Sequence, residues 1–210
     1  MKSLPCLALT FAAACASAEA QPILFDFENA PIHTSLPIDL TVDGVTAHFS
    51  ATGQGFSIQN TAQVIGVLPA GFSGLGIVPN SVFSSDLLIA FPQTTLTSFS
   101  ILYAPQELAT DSSARMRVTA FLNGNLVGTN TAVADPPGTW PSATLNFSST
   151  QGFNSVVVHY DAPPPTGGDY GTIFVADNMT VTPGVPEPTS FMLAVLGAAV
   201  LGGWVGRRTR

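Results

Sequence analysis

The stretch from Ala114 to Val133, ARMRVTAFLNGNLVGTNTAV, sets the tightest limit on what this chain can fold into. Met116, Val118, Ala120 and Leu122 alternate with Arg115, Arg117, Thr119 and Phe121, the two-residue period of a strand with one face buried. Asn123-Gly124 follows, and both residue types accept the positive φ of a tight hairpin turn. One hairpin is not stable alone, so its apolar face demands further strands and a second layer. The sequence provides them. In Ile23 to Glu28, Phe25 and Phe27 share one face while Asp26 and Glu28 share the other. Leu40 to Ala51 reads as a hairpin around Asp43-Gly44. Asp86–Phe91, Leu96–Tyr103, Ala143–Phe147, Ser155–Tyr160 and Thr172–Thr182 read as further strands. No amphipathic helix is evident, and no repeat of about 40 residues marks a propeller. The expectation for residues 21–182 is a mainly β domain, an antiparallel β-sandwich.

Charge narrows the partners. Twelve acids from Asp26 to Glu187 stand against Arg115 and Arg117, a net of −10 between the termini. Nucleic-acid binding requires Lys and Arg to displace counterions from phosphates, so that class is excluded. The only cysteines, Cys6 and Cys15, fall in the first 20 residues. The rest of the chain therefore has no disulfide and no thiolate chemistry.

The two ends read as addresses. Residues 1–20 combine Lys2, an apolar run from Leu4 to about Ala16, and Ala18-Glu19-Ala20, a small-x-small exit. This is the pattern of a signal peptide for the Sec translocon, cut by signal peptidase before Gln21. Cys15 follows small residues as a lipidated cysteine does, but Ala12 stands where such signals carry Leu. At the other end, residues 190–206 lack any charge and, as a transmembrane helix, would span about 25 Å at 1.5 Å per residue. Residues 207–210 hold Arg207, Arg208 and Arg210, a basic tail that favours the cytoplasmic side. The signal helix and this single transmembrane helix thus flank the sandwich. Between the domain and the apolar run, residues 183–189 contain Pro183, Pro186 and Pro188, which favour an extended, exposed linker.

Val185-Pro186-Glu187-Pro188, the apolar segment and Arg207-Arg208 together resemble the PEP-CTERM sorting signal of Gram-negative bacteria. The resemblance implies recognition by exosortase, a membrane enzyme that processes the tail near Pro-Glu-Pro. The catalytic residues would be the exosortase's, so none is carried over to this chain. It also implies export to the cell surface or extracellular matrix of bacteria that make exopolysaccharide. Phe25-Asp26-Phe27-Glu28 and Ala176-Asp177-Asn178-Met179-Thr180-Val181 resemble the first and last strands of jelly-roll modules related to carbohydrate-binding domains. That second resemblance implies a jelly-roll-like sandwich whose first and last strands lie together. It also implies Asp26, Glu28 and Asp177 as candidate ligands of a structural Ca²⁺, since hard oxygen donors suit that ion. Solvent-facing carboxylates on the polar side of edge strands are the alternative reading of the same residues.

Catalytic patterns are missing. His33, His48 and His159 share no metal-binding spacing, and Gly71-Phe72-Ser73-Gly74-Leu75 lacks the last glycine of a nucleophile elbow, so it reads as a flexible loop. Asp26, Glu28, Asp161, Asp169 and Asp177 keep a glycan hydrolase in view, because glycosidases need only two carboxyl groups. The reading is nevertheless a non-enzyme: a structural or adhesive surface protein, with a carbohydrate-binding module as the alternative. For that alternative Trp140 and Tyr170 are the candidate glycan contacts, each in a Gly/Pro-rich loop where an aromatic ring can meet a sugar face.

Overall fold

The structure, a computed structural model, describes residues 20–82, 85–106, 115–134, 140–161 and 173–184. The expected signal helix, apart from Ala20, and the expected transmembrane helix lie outside these residues. No helix among the described residues is long and apolar enough to cross a membrane.

The described chain is mainly β. In order it forms β1 (Ile23–Phe25), β2 (Thr34–Ser35), β3 (Ile38–Val42), β4 (Val45–Ala51), β5 (Phe56–Asn60), α1 (Thr61–Ile65), β6 (Leu75–Pro79) and β7 (Leu87–Ala90). There follow β8 (Leu96–Pro105), β9 (Arg115–Leu122), β10 (Asn125–Val133), β11 (Ala143–Phe153), β12 (Ser155–Tyr160) and β13 (Phe174–Pro183). A seven-stranded sheet runs β11-β8-β13-β6-β5-β2 with β1 also on β13, and a six-stranded sheet runs β10-β9-β12-β7-β4-β3. Both are antiparallel, and the chain crosses between them after β2, β4, β6, β7, β8, β10, β11 and β12. The result is the antiparallel sandwich that the strand pattern predicts, with the jelly-roll-like form that the resemblance implies.

Period-two patterning becomes burial directly. On β9, Met116, Val118 and Ala120 are fully buried while Arg117, Thr119 and Phe121 face outward. Phe25, Phe49, Phe56, Phe99, Tyr103, Phe153 and Phe174 fill the space between the sheets, all essentially inaccessible. Phe49 takes the ring of Phe27 edge-on at 5.4 Å and that of Phe25 at 6.3 Å, a favoured aromatic geometry. β1 pairs antiparallel with β13, Ile23 opposite Val181 and Phe25 opposite Met179, so the first and last strands do lie together.

Several local outcomes differ from the sequence reading. β1 stops at Phe25 because the Asp26 side chain accepts the amide of Glu28 at 3.2 Å and Ala30 bonds back to Phe27, turning the chain at once. Phe27 keeps its ring buried only by adopting φ 61°. β5 and β6 add strands in stretches broken by glycine and proline. Between them α1 is capped by Asn60, whose side chain accepts the amide of Gln63 at 3.1 Å, and ends on Gly66. β13 runs one residue past the expected boundary, because Pro183 sits at the strand's last position.

The two ends of the sandwich are unlike. Ile23 lies beside Val181, and Gly184 donates its amide to Thr95, so the first and last described residues emerge at one end. The connections β4–β5, β6–β7, β8–β9, β10–β11 and β12–β13 all leave and return at the opposite end. The outer faces differ too. That of the larger sheet is covered by a second apolar cluster, Phe72, Val78, Ala104, Trp140, Ile173 and Val175, with Ile65 and Leu102 against it.

Candidate functional site

Two places on the larger sheet draw together residues that the sequence singled out. The first is built on a bulge in β13. Asn178 adopts φ 47° there, and the pairing of β13 with β8 slips between Asp177 and Thr180. This aims the Asp177 carboxylate at the loop before β6. Its Oδ2 accepts the Ser73 amide at 3.1 Å, and its Oδ1 the Asn178 amide at 2.7 Å. Glu28 reaches the same loop, its Oε1 accepting the Ser73 hydroxyl at 3.2 Å and the Leu75 amide at 3.1 Å. The Asn178 side-chain amide donates to the Gly71 carbonyl at 3.0 Å. Gly74 lies so close under the Glu28 carboxylate that a Cβ there would collide with Oε2. The loop that reads as flexible from its glycines is therefore stapled from two sides.

The structure brings Glu28 and Asp177 to one loop, with Asp26 within electrostatic reach. Asp177 is fully buried rather than solvent-facing. Burial pushes its carboxyl up to about 6, helped by the negative charges of Glu28 and Asp26 and opposed by the Ser73 and Asn178 amides. Among the described residues no three His, Cys, Asp or Glu side chains form a group that could hold a metal ion. Both Asp177 oxygens and Oε1 of Glu28 face backbone or hydroxyl donors of the chain itself.

The second place is a cleft of about 370 Å³ at the loop-bearing end. Val64 and Ile65 of α1, Val78 and Pro79 of β6, Val82, Ile173 and Trp140 give it apolar walls, with Asn80, Ser81 and Gln106 as the polar part. Trp140 holds φ 58° and is only 8% exposed, so its ring forms a wall rather than a free platform. Gln106 Oε1 is buried and has no hydrogen-bond partner among the described residues. An acceptor left in that state costs about 1–3 kcal/mol unless something donates to it. Val64 and Val82 remain well exposed at the rim. Sequence reasoning found Trp140 but not Gln106 or the helix that walls the cleft, because those meet Trp140 only through the sheet. Tyr170 lies outside the described residues, in the connection that leaves β12 and re-enters β13 at this same end.

No curated protein matches the sequence. Among solved structures, the K2 cleaved adhesin domain of Lys-gingipain aligns at 13% identity over 78% of this chain and 98% of its own, with a TM-score of 0.47. A family 35 carbohydrate binding module from Clostridium thermocellum aligns at 18% identity over 77% and 98%, with a TM-score of 0.37. A DUF4465 family protein from Bacteroides caccae aligns at 12% identity over 85% and 99%, with a TM-score of 0.44. The tail gives the family-level match: residues 184–210 fit the PEP-CTERM protein-sorting motif, and the chain carries that motif at its C-terminus.

Proposed function

We propose that this chain is an exported cell-surface or extracellular-matrix protein whose sandwich does its work outside the cell. In this reading residues 1–20 direct it through the Sec translocon, and residues 190–206 hold it in the inner membrane with residues 207–210 in the cytoplasm. Exosortase then processes the tail near Pro186-Glu187-Pro188, and the domain persists as a structural or adhesive component tied to exopolysaccharide. The observation that carries the proposal is the sorting motif itself, which begins at Gly184, where β13 has just ended. Intact-mass analysis of the protein recovered from exosortase-bearing cells is expected to show a chain starting near Gln21 and ending near the Pro-Glu-Pro triplet. A full-length chain in those cells overturns the assignment.

A second reading, carbohydrate binding, is favoured by the cleft, where an indole wall stands beside the polar side chains of Asn80 and Ser81. On a glycan array, Trp140→Phe and Tyr170→Ala are expected to lower binding about tenfold each, on the order of 1.4 kcal/mol. Unchanged binding in both removes these two residues from any glycan contact. A hydrolase fits less well. Among the described residues the carboxyl group with a raised pKa, Asp177, is fully buried and cannot protonate a glycosidic oxygen, and Asp169 lies outside those residues.

A further inference from the structure

The ion pairs given by the described residues all stand on the outer face of the six-stranded sheet. His48 Nδ1 meets Asp39 Oδ1 at 2.6 Å, His159 Nδ1 meets Asp86 Oδ1 at 2.6 Å, and Arg117 Nε lies 3.6 Å from Asp161 Oδ2. The strand registers place them. His159 is opposite Arg117 on β9, and His48 is opposite Asp39 on β3 and Ala90 on β7. Between the two imidazoles runs a row of Thr119, Val157, Leu88 and Ser50, all half-buried, with Phe121 half-buried beside it. His159 and His48 are two strands and four residues apart, about 16 Å on the diagonal by standard strand spacing. Among the described residues no apolar cluster of the kind that covers the other sheet lies over this face.

Each His–Asp pair engages one carboxylate oxygen and Nδ1, so the second oxygen and Nε2 take no part in that bond. An acceptor oxygen beside a ring nitrogen can read two neighbouring hydroxyl groups. Charge selects the occupant. Arg115 and Arg117 are the only Lys or Arg residues between the termini, and both point from β9 onto this face, against Asp39, Asp86 and Asp161. The face is nearly balanced and its carboxylates already have partners, so it offers little to a polyanion or a polycation. Hydrogen-bonding corners joined by an aliphatic strip match an uncharged polymer that alternates hydroxyl edges with apolar ring faces.

We infer that this open sheet face binds a neutral polysaccharide chain, laid diagonally from Arg117, His159 and Asp86 across Val157 and Leu88 to His48 and Asp39. The inference rests on the carbohydrate-binding reading but places contact away from the Trp140 cleft. Native affinity gels of the exported protein, cast with β-1,4-galactan, glucomannan or dextran, test it, with the acidic polymer hyaluronan as comparison. At least one neutral polymer is expected to retard the protein and hyaluronan is not. His159→Ala, His48→Ala and Leu88→Ser are each expected to weaken the retardation tenfold or more with unchanged circular dichroism. Leu24→Ser, an exposed change on β1 of the other sheet, is expected to leave it intact. Retardation lost in Val82→Glu, at the rim of the cleft, and kept in the sheet-face variants overturns the inference while sparing carbohydrate binding. Retardation by none of the neutral polymers overturns both. Dimerisation in the ultracentrifuge that disappears in the sheet-face variants gives the face to a second copy, and also overturns it.

Discussion

Phe49→Ala is expected to lower the unfolding free energy by about 3–5 kcal/mol, the usual range for deleting a fully buried phenylalanine. Phe49 sits where β4 faces the seven-stranded sheet, and its ring is the common partner of Phe25 and Phe27. Truncation removes both edge-on contacts and leaves a cavity that Phe25 and Phe27, held on β1 and the turn after it, cannot readily fill. The loss is a large share of the roughly 5–15 kcal/mol that keeps a domain folded. No cysteine lies beyond position 15, so no cross-link restrains the unfolded chain in compensation. Urea denaturation followed by intrinsic fluorescence reads the effect as a shift in midpoint at constant slope. Phe49→Leu, which keeps most of the volume, is expected to recover more than half of it. A shift under about 1 kcal/mol for Phe49→Ala would show that the two sheets are not held by this cluster.

Asp177 makes stability depend on pH in the direction opposite to an ion-paired carboxylate. Its folded-state pKa, about 6, lies above the ordinary value of 3.8, so the folded protein holds the proton more tightly than the unfolded chain. Raising the pH through this window therefore removes stability. The cost is absent below pH 3.8 and complete above about pH 6, and it amounts to about 3 kcal/mol at 1.36 kcal/mol per pH unit. Denaturation in EDTA at pH 8 and at pH 5 is expected to show the wild-type protein more stable at the lower pH. Asp177→Asn should flatten most of that difference. The slope is the readout that matters, because Asn has one acceptor oxygen for two amides and will lose part of the staple at every pH. An unchanged slope in the variant would mean that Asp177 is ionised and satisfied in the folded state.

The legible part of this fold was whatever repeats every two residues. The β9–β10 hairpin, the β3–β4 hairpin and β12 were plain because apolar side chains alternate there and turn residues punctuate them. β6 was not, since Gly76 and Pro79 occupy two of its five positions and its pairing with β13 and β5 is entirely non-local. α1 is too short for any helical period to show. The carboxylates were legible as a set but not in their roles. Alternation put Asp26 and Glu28 on a polar face, and the bulge at Asn178, invisible in sequence, turned Asp177 into the sheet's buried staple. Phe121 was visible on the polar face of β9, yet nothing local said that two imidazoles from distant strands would share that face.

The placement of the ends has a mechanical consequence. β13 extends from the loop-bearing end to the end where the sorting tail begins, about 33 Å at the usual strand rise, and it is bonded to β8 along one side and to β1 and β6 along the other. If the tail is held in the membrane while the far end is attached to a matrix, tension runs along this strand. Its ladder bonds lie across the pull and are loaded together rather than peeled one at a time. A strand in that position resists as a glued lap joint does. The domain is thus expected to hold under lengthwise pulling far better than its equilibrium stability alone would suggest.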